Sequence, residues 1–276
     1  MNHNNRVPIG GNGILEGAIM SRRARLNPLF TVFLSLTLSP AVLAQSNQLP
    51  ALRDWMEHQE EAAKYLQNGE YSKAEERLNH AIKEIRPYLP DTRRIMAKSY
   101  CDLARVLYHQ GRYADAEPLA RWALSVRESD KKSKPDTVFQ CVYVLGLIQS
   151  ARKHHAEAEQ LLLRSLVLQE ESLGRDHMNS IIILNQLANV YVEQAKYADA
   201  EPLYLRSLAI HERKTPAEIL DLADTAEKYA VLLRHMKRYD DADRWHARAV
   251  TIRDTALSKA AKAKADQLSD QFKGYK

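Results

Sequence analysis

Tyr113-Ala-Asp-Ala-Glu-Pro-Leu119 and Tyr197-Ala-Asp-Ala-Glu-Pro-Leu203 are the same heptapeptide, 84 residues apart. Halving that interval brings out the whole pattern. Ala74-Glu75, Ala116-Glu117, Ala158-Glu159, Ala200-Glu201 and Ala242-Asp243 follow one another at 42 residues each time. Three residues before each Ala stand Tyr71, Tyr113, His155, Tyr197 and Tyr239. Twelve before it come Ala62, Ala104, Gly146, Ala188 and Ala230; seven after it come Ala81, Ala123, Ser165, Ser207 and Ala249. A large apolar column, Ile82, Leu124, Leu166, Leu208 and Val250, runs beside the last of these. Five copies in step define a repeat architecture, in which each unit buries its faces only against its neighbours.

The columns have a direct physical meaning. Small residues recur at one position of a first helix and at two positions, seven apart, on one face of a second. Small side chains let two helix backbones approach, and the large ones fill the gaps beside them. The aromatic column opens the second helix, where a flat ring plugs the end of the pair. Asn68-Gly69-Glu70 and Gln110-Gly111-Arg112 supply glycine for a tight helix–helix turn. Lys153, Ala195 and Lys237 hold that position in the later copies, which predicts strain there. Acids such as Asp115, Glu157 and Asp199 face the positive end of the second-helix dipole. Pro118 and Pro202 lie close to the first turn, where proline is best tolerated.

Leu103-Ala-Arg-Val-Leu-Tyr108 leading to Tyr113–Leu119, and Leu187-Ala-Asn-Val-Tyr191 leading to Tyr197–Leu203, resemble tetratricopeptide repeats. The 42-residue period and Leu173-Gly-Arg-Asp-His177 between two copies resemble the kinesin-light-chain subtype. Repeat three departs from the pattern, since Gly146 to His155 lacks both the tyrosine and the turn glycine. The resemblance implies an all-α, right-handed α-solenoid of five helix-turn-helix repeats, with first helices on the concave face and second helices on the convex one. The repeats are expected at 52–87, 93–129, 136–172, 178–213 and 217–255, and a capping helix or tail at 256–276.

Composition agrees. Gly and Pro together number 19 of 276 residues, about 7% against an average near 12%, too few for a turn-rich β-sandwich. Two cysteines exclude a disulfide-stapled scaffold and a four-cysteine zinc site.

The amino terminus reads as a leader. The apolar run Leu29–Leu38 is too short for a membrane span, which takes about 20 residues. Arg22, Arg23 and Arg25 precede it, and Pro40 and Val42-Leu43-Ala44 follow, the order of a secretory signal. Cleavage is expected after Ala44, giving a periplasmic or secreted chain with no stable membrane insertion; the alternative is an inner-membrane anchor. No cysteine follows the run, which argues against a lipid anchor. Ser21–Leu26 resembles a twin-arginine motif, but Arg25 stands where an apolar residue is usual, so general export is expected. Residues 1–19 show no periodicity, and Met20 is read as the translational start. Without 1–44 the chain has 36 basic and 34 acidic residues, a formal charge of +2 instead of +5, so its basicity is no nucleic-acid footprint.

Neither a nucleophile motif nor a phosphate loop nor a dinucleotide fingerprint occurs, so no enzyme activity and no cofactor are expected. His154-His155 with Glu157 and Glu159 has metal-ligand residue types, but His155 belongs to the aromatic column, and no metal is expected. His211, His235 and His246 fall at non-equivalent positions. Trp55, Trp122 and Trp245 read as packing residues. Cys101 and Cys141 lie on neighbouring first helices two residues out of phase, which predicts buried free thiols and not a bond.

The functional candidates come from the family resemblance, which implies that particular first-helix positions line the groove. These are Lys98, Cys101, Arg105 and Tyr108; Gln140, Tyr143, Leu147 and Ser150; Ile182, Asn185, Asn189 and Val192; and Asp224, Glu227, Val231 and Arg234. Asn185 and Asn189 are one turn apart, and an amide both donates and accepts, which suits an extended peptide backbone. Replacing Asn189 by Ala is expected to leave folding almost untouched. The expected function is an exported, non-enzymatic scaffold that binds a protein or peptide partner in the groove. The alternatives are a secreted effector and a structural or self-assembling spacer of the cell envelope.

Overall fold

The structure, a computed structural model, describes residues 50–88, 92–130, 135–214 and 219–273. The leader expected at 1–44 lies outside the described residues. Ten α-helices occur among those described, in five antiparallel pairs. They are α1 (Pro50–Gln67) with α2 (Tyr71–Ile85), α3 (Arg93–His109) with α4 (Tyr113–Ser129), and α5 (Pro135–Ala151) with α6 (His155–Leu173). The last two pairs are α7 (Asn179–Glu193) with α8 (Tyr197–Lys214), and α9 (Ile219–His235) with α10 (Tyr239–Lys273). A 3₁₀ turn, Arg86–Tyr88, follows α2. Helix α10 continues through the Ala- and Lys-rich stretch to Lys273 without a break.

Each helix packs on the one before and the one after it. First helices also touch one another, α3 on α5 and α5 on α7, whereas no two second helices do so to a comparable extent. First helices therefore lie inside the curve. The small-residue columns explain the close approach. Ala74, Ala116, Ala158, Ala200 and Ala242 have no accessible surface, nor do Ala81, Ala123, Ser165, Ser207 and Ala249. At Gly146 an added Cβ would lie 3.1 Å from Leu162 Cδ2. Leu162 is fully buried, so at this pair the first-helix backbone has moved up to the leucine that faces it.

The hairpin turns are five copies of one device. In each, the turn residue in left-handed conformation donates to a carbonyl three residues back, and the next residue donates five back. Gly111 N bonds Tyr108 O at 3.0 Å and Arg112 N bonds Leu107 O at 2.9 Å, and the other four turns repeat the pattern. This is the Schellman closure of a helix end, which needs a positive φ at its centre. Gly69 and Gly111 supply it at 76° and 77°; Lys153, Ala195 and Lys237 are held at 65°, 56° and 61°. The expected strain is present at all three.

The aromatic column packs at these ends. Tyr71 stacks on His109 with ring centroids 5.0 Å apart, and Tyr197 stacks on His235 at 5.3 Å, the same contact in different repeats. The Glu of the Ala-Glu pair reaches the turn of the following hairpin. Glu75 accepts from Arg112 at 2.7 Å, Glu159 from Lys196 at 2.8 Å and Glu201 from Arg238 at 2.6 Å. These ion pairs are partly exposed and individually weak, but they repeat with the period and align successive hairpins. Trp55 is buried and its Nε1 donates to Ser99 Oγ at 2.8 Å; Trp122 and Trp245 pack edge-on against Tyr100 and Tyr229.

Candidate functional site

The inner face presents one stripe of accessible side chains. In α3 it runs Lys98, Asp102, Arg105, His109, and in α7 it runs Ile182, Gln186, Asn189, Glu193. In α9 the same positions hold Asp224, Lys228, Val231 and His235. The spacing i, i+4, i+7, i+11 is one side of a helix. At α5 the two middle positions, Val144 and Leu147, are buried, so the stripe narrows to Gln140 and the half-buried Ala151. Along its length it changes from charged at α3 to apolar and amide-bearing at α7.

At the α3 end Asp102 lies between two cations. Lys98 Nζ is 2.6 Å from Asp102 Oδ2, Arg105 Nη2 is 3.0 Å from Asp102 Oδ1, and Lys98 also donates to Gln59 Oε1 at 3.1 Å. Burial pushes the Asp102 carboxyl up, but Lys98 and Arg105 outweigh it and hold it below the usual carboxylate range. These groups edge a shallow recess floored by Ala62, Leu66 and Leu78. Asp102 was not among the residues expected to line the groove, although its place at i+4 from Lys98 carried the signal.

The other expected residues divide by position. Lys98, Arg105, Ile182, Asn189, Asp224 and Val231 stand on the accessible stripe. Cys101, Tyr143 and Asn185 share one column turned toward the next first helix: Cys101 and Asn185 are buried, and Tyr143 is wedged against the core of α6 and α7. Burial raises the Tyr143 hydroxyl well above its ordinary pKa. Asn185 Nδ2 donates to Thr225 Oγ1 at 2.8 Å, so this amide joins repeats four and five; its Oδ1 has no hydrogen-bond partner among the described residues. Asn189 Oδ1 accepts from the hydroxyl of Tyr204, which is 1% exposed; the amide holds up a buried tyrosine as well as facing the groove. Tyr108 and Arg234 share a column turned toward the second helix of their own pair. Tyr108 meets Tyr113 with ring centroids 5.7 Å apart, and Arg234 lies 3.5 Å from Asp243.

The histidine-rich patches are occupied by packing and ion pairing. His154 Nδ1 is 2.8 Å from Gln149 Oε1, and His155 Nδ1 is 3.4 Å from Glu193. Glu157 pairs with Arg121, and Glu159 with Lys196. Among the described residues no three His, Cys, Asp or Glu side chains converge as a metal site requires. Among them, too, no helix is long and apolar enough to cross a membrane.

An array of helical hairpins in register, with an accessible stripe along its inner helices, defines an α-solenoid of the interaction-scaffold kind. The tetratricopeptide repeat profile matches residues 56–129 and 140–213, and the chain belongs to the tetratricopeptide repeat family. No curated protein matches it by sequence. Its fold is similar to that of BtubC (BKLC) from P. vanneervenii, with a TM-score of 0.64 and 18% identity, over 75% of this chain and 89% of that one. A protein from Podosopora anserina described as kinesin light chain with nearly identical TPR-like repeats gives 0.61 and 19%, over 73% and 95%. At these identities the likeness is one of fold, a solenoid of TPR-like hairpins. A Rap protein complexed with Competence and Sporulation Factor gives 0.62 and 16%, over 77% of this chain and 58% of that one.

Proposed function

We propose that this chain is an exported, non-enzymatic scaffold that holds a protein or peptide partner along the inner stripe of its first helices. The observation that carries this reading is the stripe itself. Ile182 and Val231, large apolar side chains, are 47% and 42% exposed on the inner face, beside the half-buried amides Gln186 and Asn189. Apolar anchors beside groups that donate and accept suit an extended backbone. The groove is preformed by the solenoid, so binding orders little of the protein. The Rap protein structure supports the reading in that the same fold was solved with a bound factor. The Asp102 carboxylate, flanked by Lys98 and Arg105, adds a polar register mark at one end. Export rests on the leader, with cleavage after Ala44 and a periplasmic or secreted product.

A photo-crosslinking residue placed at Ile182, compared with one at Val167 on second helix α6, tests the groove. Val167 is 54% exposed, so exposure alone does not separate the two sites. Partners captured from envelope fractions through position 182 and not through 167 are expected. Equal capture from both positions, or capture only from 167, refutes the groove. Amino-terminal sequencing of the envelope form is expected to begin at Gln45; a chain that retains Met20 there refutes cleavage.

A further inference from the structure

Two hydrogen bonds between neighbouring first helices use the same pair of columns. Gln59 Nε2 donates to Ser99 Oγ at 2.7 Å, joining α1 to α3. Asn185 Nδ2 donates to Thr225 Oγ1 at 2.8 Å, joining α7 to α9. In both cases the partners are 40 residues apart, two short of the repeat period. Two residues correspond to about 200° around an α-helix. One position therefore faces the preceding repeat and the other faces the following repeat, so contacts along the array join columns two apart.

Cys101 and Cys141 occupy these same two columns between α3 and α5, again 40 residues apart. Both are buried, at 5% and 2% exposure, in one apolar cluster between helices α3 and α5, which touch. The two-residue phase difference that the 42-residue register sets against a bond is the contact register itself. We propose that Cys101 and Cys141 are an oxidisable pair that closes to an intramolecular disulfide between repeats two and three when the chain meets a small-molecule or protein disulfide.

The chemistry is thiol–disulfide exchange. One cysteine thiolate attacks the oxidant's S–S bond, forming a mixed disulfide and releasing one oxidant thiolate. The second cysteine thiolate attacks the protein sulfur of the mixed disulfide, forming the internal bond and releasing the second oxidant thiolate. The two cysteine protons pass to the two released thiolates; the pair loses two electrons and the oxidant gains them. The neighbouring Cys141 thiol and burial hold the Cys101 thiol well above its ordinary pKa, so the closed fold presents little thiolate. The bond accordingly forms while the chain folds or when α3 and α5 part transiently. It fixes the spacing of α3 and α5 where the inner stripe narrows, whether or not a partner is bound.

The test uses the full chain, purified reduced. It is equilibrated in glutathione buffers from fully reduced to fully oxidised, once as the folded protein and once during refolding from urea. Each sample is quenched in acid, alkylated under denaturing conditions and weighed by mass spectrometry. The expected product is a monomer lighter by two hydrogens, carrying no alkyl group, whose digest links the Cys101 peptide to the Cys141 peptide. Dithiothreitol should return both thiols. The proposal is overturned if both cysteines are alkylated at every ratio in both arms, or if only glutathione adducts or intermolecular dimers appear. Either result leaves the groove reading intact, because that reading is tested at Ile182.

Discussion

Ala195 occupies the left-handed centre of the fourth hairpin turn at φ 56°, the place that glycine fills in the first two turns. A Cβ in that conformation costs roughly 1–2 kcal/mol against the carbonyl that follows it. Glycine removes that cost but gives the unfolded chain more freedom, which returns about 0.4–1 kcal/mol. Ala195→Gly is therefore expected to stabilise the protein by about 0.5–1 kcal/mol. Ala195 is the clean site of the three. Lys153 Nζ lies 2.6 Å from Glu193 Oε1, so replacing Lys153 would also remove an ion pair. The reciprocal change, Gly111→Ala, should destabilise by a similar amount. A Cβ there meets no atom within 4 Å, so the loss would come from the backbone alone. Urea unfolding followed by circular dichroism reads both variants, with the slope checked because a repeat array can unravel from one end. The midpoint should rise for Ala195→Gly and fall for Gly111→Ala at constant slope. A lowered midpoint for Ala195→Gly would refute the assignment of strain to the turn.

Asn189→Ala leaves the hydroxyl of buried Tyr204 without its acceptor and should cost about 1–3 kcal/mol, where the sequence alone predicts almost no effect. Adding Tyr204→Phe should recover much of that loss in the same unfolding assay, and no recovery would show that the hydrogen bond is not the cause. Ala188 has no accessible surface, so Ala188→Leu should overpack the α7–α8 pair and cost about 1–3 kcal/mol or more; an unchanged midpoint would put α7 in another register. Burial lowers His211 to about 4 from the 6.5 of a free imidazole, so the folded chain holds it neutral. Its contribution is complete above about pH 6.5 and is lost as pH falls from there toward 4, because the unfolded chain takes up the proton first. The difference in stability between wild type and His211→Gln, measured across that window, should fall with pH; a constant difference would show that His211 does not titrate as a buried group.

The repeat was legible because backbone contact is unforgiving. Where two helices touch at Ala74 or Ala116 there is no room for a larger side chain, so the constraint is written into every copy. The turns were legible for the same reason, and even the departures from glycine at Lys153, Ala195 and Lys237 pointed to the right conformation. The groove was harder to read. An asparagine looks alike in solvent and in a seam, and only Thr225, in the next repeat, fixes Asn185 as a joint between hairpins. Asp102 lies outside the positions the family resemblance implies, and only the accessible side of α3 places it on the stripe.

The cysteines show what a period can and cannot tell. Residues one period apart share an environment, and for that reason they do not touch. Touching residues must come from opposite flanks of two parallel helices, and so from columns about two residues apart. Equivalence in this chain is read at 42 residues, whereas Gln59 with Ser99 and Asn185 with Thr225 join first helices at 40. The same rule makes a substitution test independent of oxidation. Ser99→Val should strand both Trp55 Nε1 and Gln59 Nε2, which share its hydroxyl at 2.8 and 2.7 Å, and should destabilise by about 1–3 kcal/mol. A neutral Ser99→Val would mean that the columns two apart do not carry the joints between repeats, and the placement of Cys101 against Cys141 would lose its structural parallel.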